Sequence, residues 1–158
     1  MQQLLQSIRR PAAIGLFGSI VAGILAVAFI YLAPWRFYPS AHTARWMLIA
    51  GSVLAVLAVS MTLLTVRRQV PVIRQLESLE AKLTAYAAYV RSIYLTMLAV
   101  IVILCAFTLF SAHNVLLMLA IVALLVLFLN YPNPLRIKID LGLTDEEFNS
   151  LFPHLKDL

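Results

Sequence analysis

"SIYLTMLAVIVILCAFTLFSAHNVLLMLAIVALLVLFLNYPNPL", residues 92 to 135, runs for 44 positions without an Asp, Glu, Lys or Arg. As one helix it would measure about 66 Å at roughly 1.5 Å per residue, more than twice the hydrocarbon thickness of a bilayer, about 30 Å. A stretch so apolar is not a surface helix, and one so long does not cross once, so it must turn back. Its least apolar point is "SAHN", Ser111 to Asn114, which predicts two spans, 92–110 and 115–131.

Two more stretches free of charge, 12–33 and 46–66, lie upstream, each near the roughly 20 residues that one crossing needs. The composition agrees: 63% of the 158 residues are hydrophobic, 12% are charged, and the mean hydropathy is +0.94. The fold class expected is an all-α integral membrane protein. Four transmembrane helices in two antiparallel hairpins form residues 1–131, with an amphipathic segment at 72–90, followed by a tail at 132–158.

Orientation follows from the 12 Lys and Arg residues, because basic flanks are retained on the cytoplasmic side. Arg36 and Arg45 fall between the first two spans, and the turn between the last two is uncharged. The other ten lie before span one, between spans two and three, or in the tail. Both termini are therefore expected in the cytoplasm and the protein in the inner (plasma) membrane. The basic start followed by an apolar run of 22 residues reads as an uncleaved signal anchor. Trp35, Phe37, Tyr38 and Trp46 at one boundary, and Tyr86, Tyr89, Tyr94 and Tyr131 at the other, are expected to be interfacial belts.

Small residues recur at helical spacing in the first two spans: Gly15, Ser19, Ala22 and Ala26, then Gly51, Ala55, Ala58 and Thr62. Such stripes let helix backbones approach closely in lipid, and here they are expected to face each other in a hairpin. Spans three and four, rich in Leu, Ile, Val and Phe, are expected to be the more exposed pair, to lipid or to another subunit. In the 67–91 segment, Val72, Leu76, Leu79, Leu83, Tyr86 and Val90 form one apolar stripe of a helix beginning after Pro71. That helix either lies at the interface with a bend near "YAAYVRS", as favoured here, or stands straight on the third span if the second also extends outward.

The tail brings a change of pattern. Leu135, Ile137, Ile139, Leu141 and Leu143 alternate with Arg136, Lys138, Asp140 and Gly142, the period of a strand with one buried face. Thr144 and Glu147 then make a capping box, with Leu143 and Phe148 as its hydrophobic staple, for a helix over 145–152. A lone strand must pair with a partner's sheet edge, with another copy, or lie on the membrane surface.

No span carries an ionisable residue, the usual mark of an ion-coupled carrier. His42, His113 and His154 do not add up to a ligand set, and Asp145, Glu146 and Glu147 are explained by the helix start they occupy. No cofactor, metal or nucleic-acid partner is expected. Cys105 is the only cysteine and lies within a span. By elimination the function expected is that of an accessory or scaffold protein, a homo-oligomer or a subunit of a membrane complex, with membrane lipids as its other partner. Its contacts are assigned to Val72, Leu76, Leu79, Leu83, Leu135, Ile137, Ile139, Leu141 and Phe148. A small channel or carrier of uncharged solutes and a subunit of a lipid- or quinone-linked enzyme are the alternatives.

Overall fold

A computed structural model describes residues 2–32, 40–111 and 114–153. Trp35, Arg36, Phe37, Tyr38, His113 and His154, named above, lie outside the described residues. Every regular element described is a helix: α1 (Gln2–Leu32), α2 (Ala41–Arg74), α3 (Leu79–Ser111), α4 (Asn114–Leu129), α5 (Pro134–Leu141) and α6 (Asp145–Leu151). Helices α1, α2 and α3, of 31, 34 and 33 residues, are long and apolar enough to cross a membrane. Their lengths, about 46 to 51 Å, exceed the hydrocarbon core by roughly 15 to 20 Å.

The expected count of four spans is not reproduced as such. Helix α4 has 16 residues, about 24 Å, and reaches spanning length only when taken with α5, from which it is bent by 76°. The bend falls at "YPNP", where two prolines interrupt the backbone ladder.

Helix α3 is the centre of the bundle, correcting the expectation that the third span faces lipid. A run of its side chains is buried, Leu83, Tyr86, Val90, Ile93, Met97, Val100, Leu104 and Thr108, and α1, α2 and α4 all pack on it. The small-residue stripes also turn inward, with Gly15, Ser19, Ala26, Gly51, Ala55 and Thr62 buried and Ala22 and Ala58 half-buried. They do not face each other, however, so the tight α1–α2 packing expected of the first hairpin does not form. A Cβ on Gly15 would lie 2.9 Å from Tyr94 Cβ, and one on Gly51 2.6 Å from Leu116 Cδ2. The hollow of a small-residue stripe is filled better by a large side chain on α3 or α4 than by a second hollow. Because Gly15 meets Tyr94 and Gly18 meets Leu98, α1 and α3 run parallel, level by level.

The 72–90 segment is not one helix. Pro71 sits inside the last turn of α2, the chain turns over 75–78, and Ser78 then accepts the Ala81 N–H at 3.2 Å to start α3. From there α3 runs unbroken through "YAAYVRS", so α2 and α3 extend together beyond the charge-free stretches. Tyr86, Tyr89 and Tyr94 are buried between helices rather than arrayed as a belt.

Outward-facing positions are strongly apolar: Ile14, Phe17, Ile24 and Phe29 on α1, Val53, Val56 and Leu57 on α2, and Met118, Leu125 and Phe128 on α4 are exposed. So large an apolar surface suits hydrocarbon and not water.

Candidate functional site

The described tail folds back on the end of the bundle where α1 begins and α2 turns into α3. Its first element is the helix α5, which replaces the expected strand. Asn133 caps it, its side chain accepting the Arg136 N–H at 2.7 Å, and Pro134 occupies the first turn. Gly142 ends it in the left-handed conformation (φ 61°, ψ 42°), and the Leu143 N–H donates back to Lys138 O at 3.0 Å. At 100° per residue, positions two apart lie about 200° apart on a helix, so alternation over eight residues gives two opposite apolar stripes. Ile137 and Leu141 form one and are fully buried; Leu135 and Ile139 form the other and point out.

Helix α6 follows with the expected capping box: Glu147 N–H donates to Thr144 Oγ1 at 3.2 Å and Thr144 N–H to Glu147 Oε2 at 2.9 Å. Phe152 is buried, and the Arg9 guanidinium lies over its ring at 5.7 Å. The start of α1 and the described end of the tail are thus at the same end of the molecule.

The bend after α4 leaves backbone carbonyls without helical partners, a serious cost near lipid. Each is met. Val126 O accepts from Asn130, Leu127 O from the Tyr94 hydroxyl at 2.8 Å, Phe128 O from the Tyr131 N–H at 3.1 Å, and Leu129 O from Arg136 Nη1 at 2.5 Å. Arg136 also donates to Asn130 Oδ1 at 2.8 Å and pairs with Asp140 at 3.4 Å, while Asp140 accepts the Tyr86 hydroxyl at 2.8 Å. On the neighbouring helix, Arg74 Nη2 donates to Ile139 O at 2.7 Å. Together with Leu83, Ile73, Ile8 and Leu151, these contacts make the tail a cap fixed to α1, α2 and α3.

Tyr86 lies on the charged side of Arg91, outside the apolar stretch. Burial first, and then the Asp140 carboxylate beside it, push its phenol well above the usual tyrosine range, so it remains a donor. The exposed Asp145 carboxyl is held below its usual range, first by the Lys138 hydrogen bond at 2.5 Å. With Asp140 held between Arg136 and Tyr86, the cluster is arranged to fix the tail's position.

The nine contact residues named from sequence divide accordingly. Leu83, Ile137 and Leu141 build the cap from inside; Leu76, Leu79 and Phe148 are half-buried; Val72, Leu135 and Ile139 remain 62%, 63% and 60% exposed. Arg74, Tyr86, Arg136 and Asp140 were not anticipated from sequence. The signals that point to them are Asn133-Pro134 with Gly142 eight residues on, the start and stop of a short helix, and the Arg136–Asp140 spacing of four that such a helix brings together. Among the described residues no group of three or more His, Cys, Asp and Glu side chains is placed to hold a metal ion. Compared with protein-family models, curated proteins and solved structures, the chain matches none.

Proposed function

We propose that this chain is an accessory or scaffold protein of the inner membrane, with both termini in the cytoplasm, that binds a second copy of itself or a cytoplasmic protein through the outer face of its tail cap. The observation that carries this reading is the two-sided apolar character of α5. One stripe is consumed by the bundle, and the other, Leu135 and Ile139, is held outward on a helix whose position is fixed by Arg74, Arg136 and Tyr86. A short helix anchored so firmly would gain nothing from a second apolar stripe in water. The excess of basic residues at this end supports its cytoplasmic placement.

The test replaces Leu135 and Ile139 together with lysine, leaving Ile137 and Leu141 in place. Membrane insertion and the shielding of Cys105 should be unchanged, while self-association or co-purification of a protein partner in mild detergent is lost. Unchanged association would contradict the proposal and assign the stripe to the lipid headgroup layer.

A further inference from the structure

The geometry points to a binding site for the headgroup of an anionic phospholipid in the groove between α1 and α3, with Arg10 and Arg91 as its two cationic ligands. The groove has a volume of about 640 Å³, and its lining includes Ser7, Arg10 and Pro11 from α1 and Ala88, Arg91 and Leu95 from α3. Because the two helices run parallel, with Gly15 level with Tyr94 and Gly18 with Leu98, stepping back along both brings Arg10 level with the turn that carries Arg91. The charge-free stretches begin directly after Arg10 on one helix and directly after Arg91 on the other, so both guanidinium groups stand at the boundary where lipid phosphates lie.

Adjacent arginines on α1 have different tasks. Arg9 is half-buried and covers the Phe152 ring, whereas Arg10 is exposed and lines the groove. Neither Arg10 nor Arg91 is in a salt bridge among the described residues, where the ion pairs engage Arg136 and Lys138. Ala87 and Ala88 leave the space open, and the apolar side chains of Ile14, one turn above Arg10, and Leu95 are exposed on the hydrocarbon side. Two planar donors beside a phosphodiester, with an apolar wall directly above, match a phospholipid better than a free anion.

The inference rests on the membrane placement proposed above and is independent of the tail's protein partner. The experiment uses the full-length protein in mild detergent, titrated with phosphatidylglycerol, phosphatidylcholine or inorganic phosphate and read by native mass spectrometry. Phosphatidylglycerol should remain bound after the zwitterionic lipid has been stripped, and inorganic phosphate should not displace it. Arg10→Gln with Arg91→Gln should weaken retention about 25-fold, at about five-fold for each arginine near an anionic headgroup. Arg67→Gln with Arg68→Gln, a change of equal charge on α2, should leave it intact. A second measurement needs no variant: a phosphatidylglycerol carrying a photoreactive group next to its phosphate should label peptides from 7–14 and 87–95. Equal retention of both lipids, displacement by phosphate, or labelling spread over all helices would overturn the site. Failure of the membrane placement is distinct, since the protein would then be soluble without detergent.

Discussion

Replacing Gly15 with alanine perturbs a close contact between α1 and α3. The added methyl would lie 2.9 Å from both Tyr94 Cβ and Cδ1 and 3.1 Å from Tyr94 O, against a favourable carbon–carbon separation of about 3.5 to 4.0 Å. Cβ and the carbonyl oxygen belong to the α3 backbone region and cannot swing aside, and the Tyr94 hydroxyl is held on Leu127 O. Helices α1 and α3 must therefore part by about 0.6 Å, at an overpacking cost of about 1 to 3 kcal/mol, offset by up to about 1 kcal/mol of helix propensity. Gly18→Ala meets only the flexible end of Leu98, at 3.1 Å, and Gly23→Ala meets nothing within 4 Å, so the first should cost little and the second nothing. The assay is the reactivity of the single buried thiol, Cys105, with a maleimide as the detergent-solubilised protein is heated. A net loss of about 1.4 kcal/mol raises the open population about ten-fold. Equal protection in the Gly15→Ala and Gly23→Ala proteins would refute the α1–α3 contact and return the Gly15 stripe to another partner.

The same packing predicts that, in a Cys105→Ser background, Gly18→Cys with Leu98→Cys cross-links under mild oxidation, whereas Ser19→Cys with Ala58→Cys, a pair that facing antiparallel stripes on α1 and α2 would bring together, does not. Tyr86→Phe removes a part-buried hydrogen bond to a charged carboxylate and should loosen the cap by about 1.5 to 3 kcal/mol, read as faster proteolysis between residues 130 and 144 without loss of membrane insertion. Gly142→Ala places a Cβ in the left-handed region and 3.0 Å from the Arg74 side chain; it should destabilise the cap by about 1 to 2 kcal/mol in the same proteolysis assay, and Gly142→Asn by less. On acidification the Lys138–Asp145 contact should fail only as pH falls below the usual carboxylate range: Asp145 is held low in the folded protein, so its contribution is present above its unfolded pKa and lost as pH drops through the folded one. Amide exchange at the start of α6 would report this.

What sequence reveals here is the part dictated by solvent. Stretches without charge at 12–33, 46–66 and 92–135 announce helices bound for lipid, and Thr144 with Glu147 announces a helix start, because each signal is local and single-valued. Partner choice is not local. The stripes at Gly15 and Gly51 state that something will come close, but a hollow does not name its filler, and Tyr94 and Leu116 are far away in sequence. The amphipathic 72–90 stripe was legible as an apolar face, yet the break at 75–78 was not, since Ser78 signals a helix start only weakly against the continuous Leu76, Leu79 and Leu83 spacing. Alternation over 135–143 misled because strand period and a helix with two apolar stripes coincide over so short a run. The deciding residues were the punctuation on either side, Asn133-Pro134 and Gly142. Arg136 was legible as a charge but not as the group that completes the α4 terminus, a role that exists only once the chain has bent by 76°.

The proposed function places the molecule's binding at the outward stripe of its docked tail, Leu135 and Ile139. Photo-crosslinking in cells tests it most directly, with benzoylphenylalanine at Ile139 compared with the same group at Ile121, an exposed position on α4. A discrete protein adduct is expected from 139, at twice the chain's mass or at one other fixed mass, that disappears when Leu135 is changed to lysine, and none from 121. Protein adducts from 121 and none from 139 would contradict it.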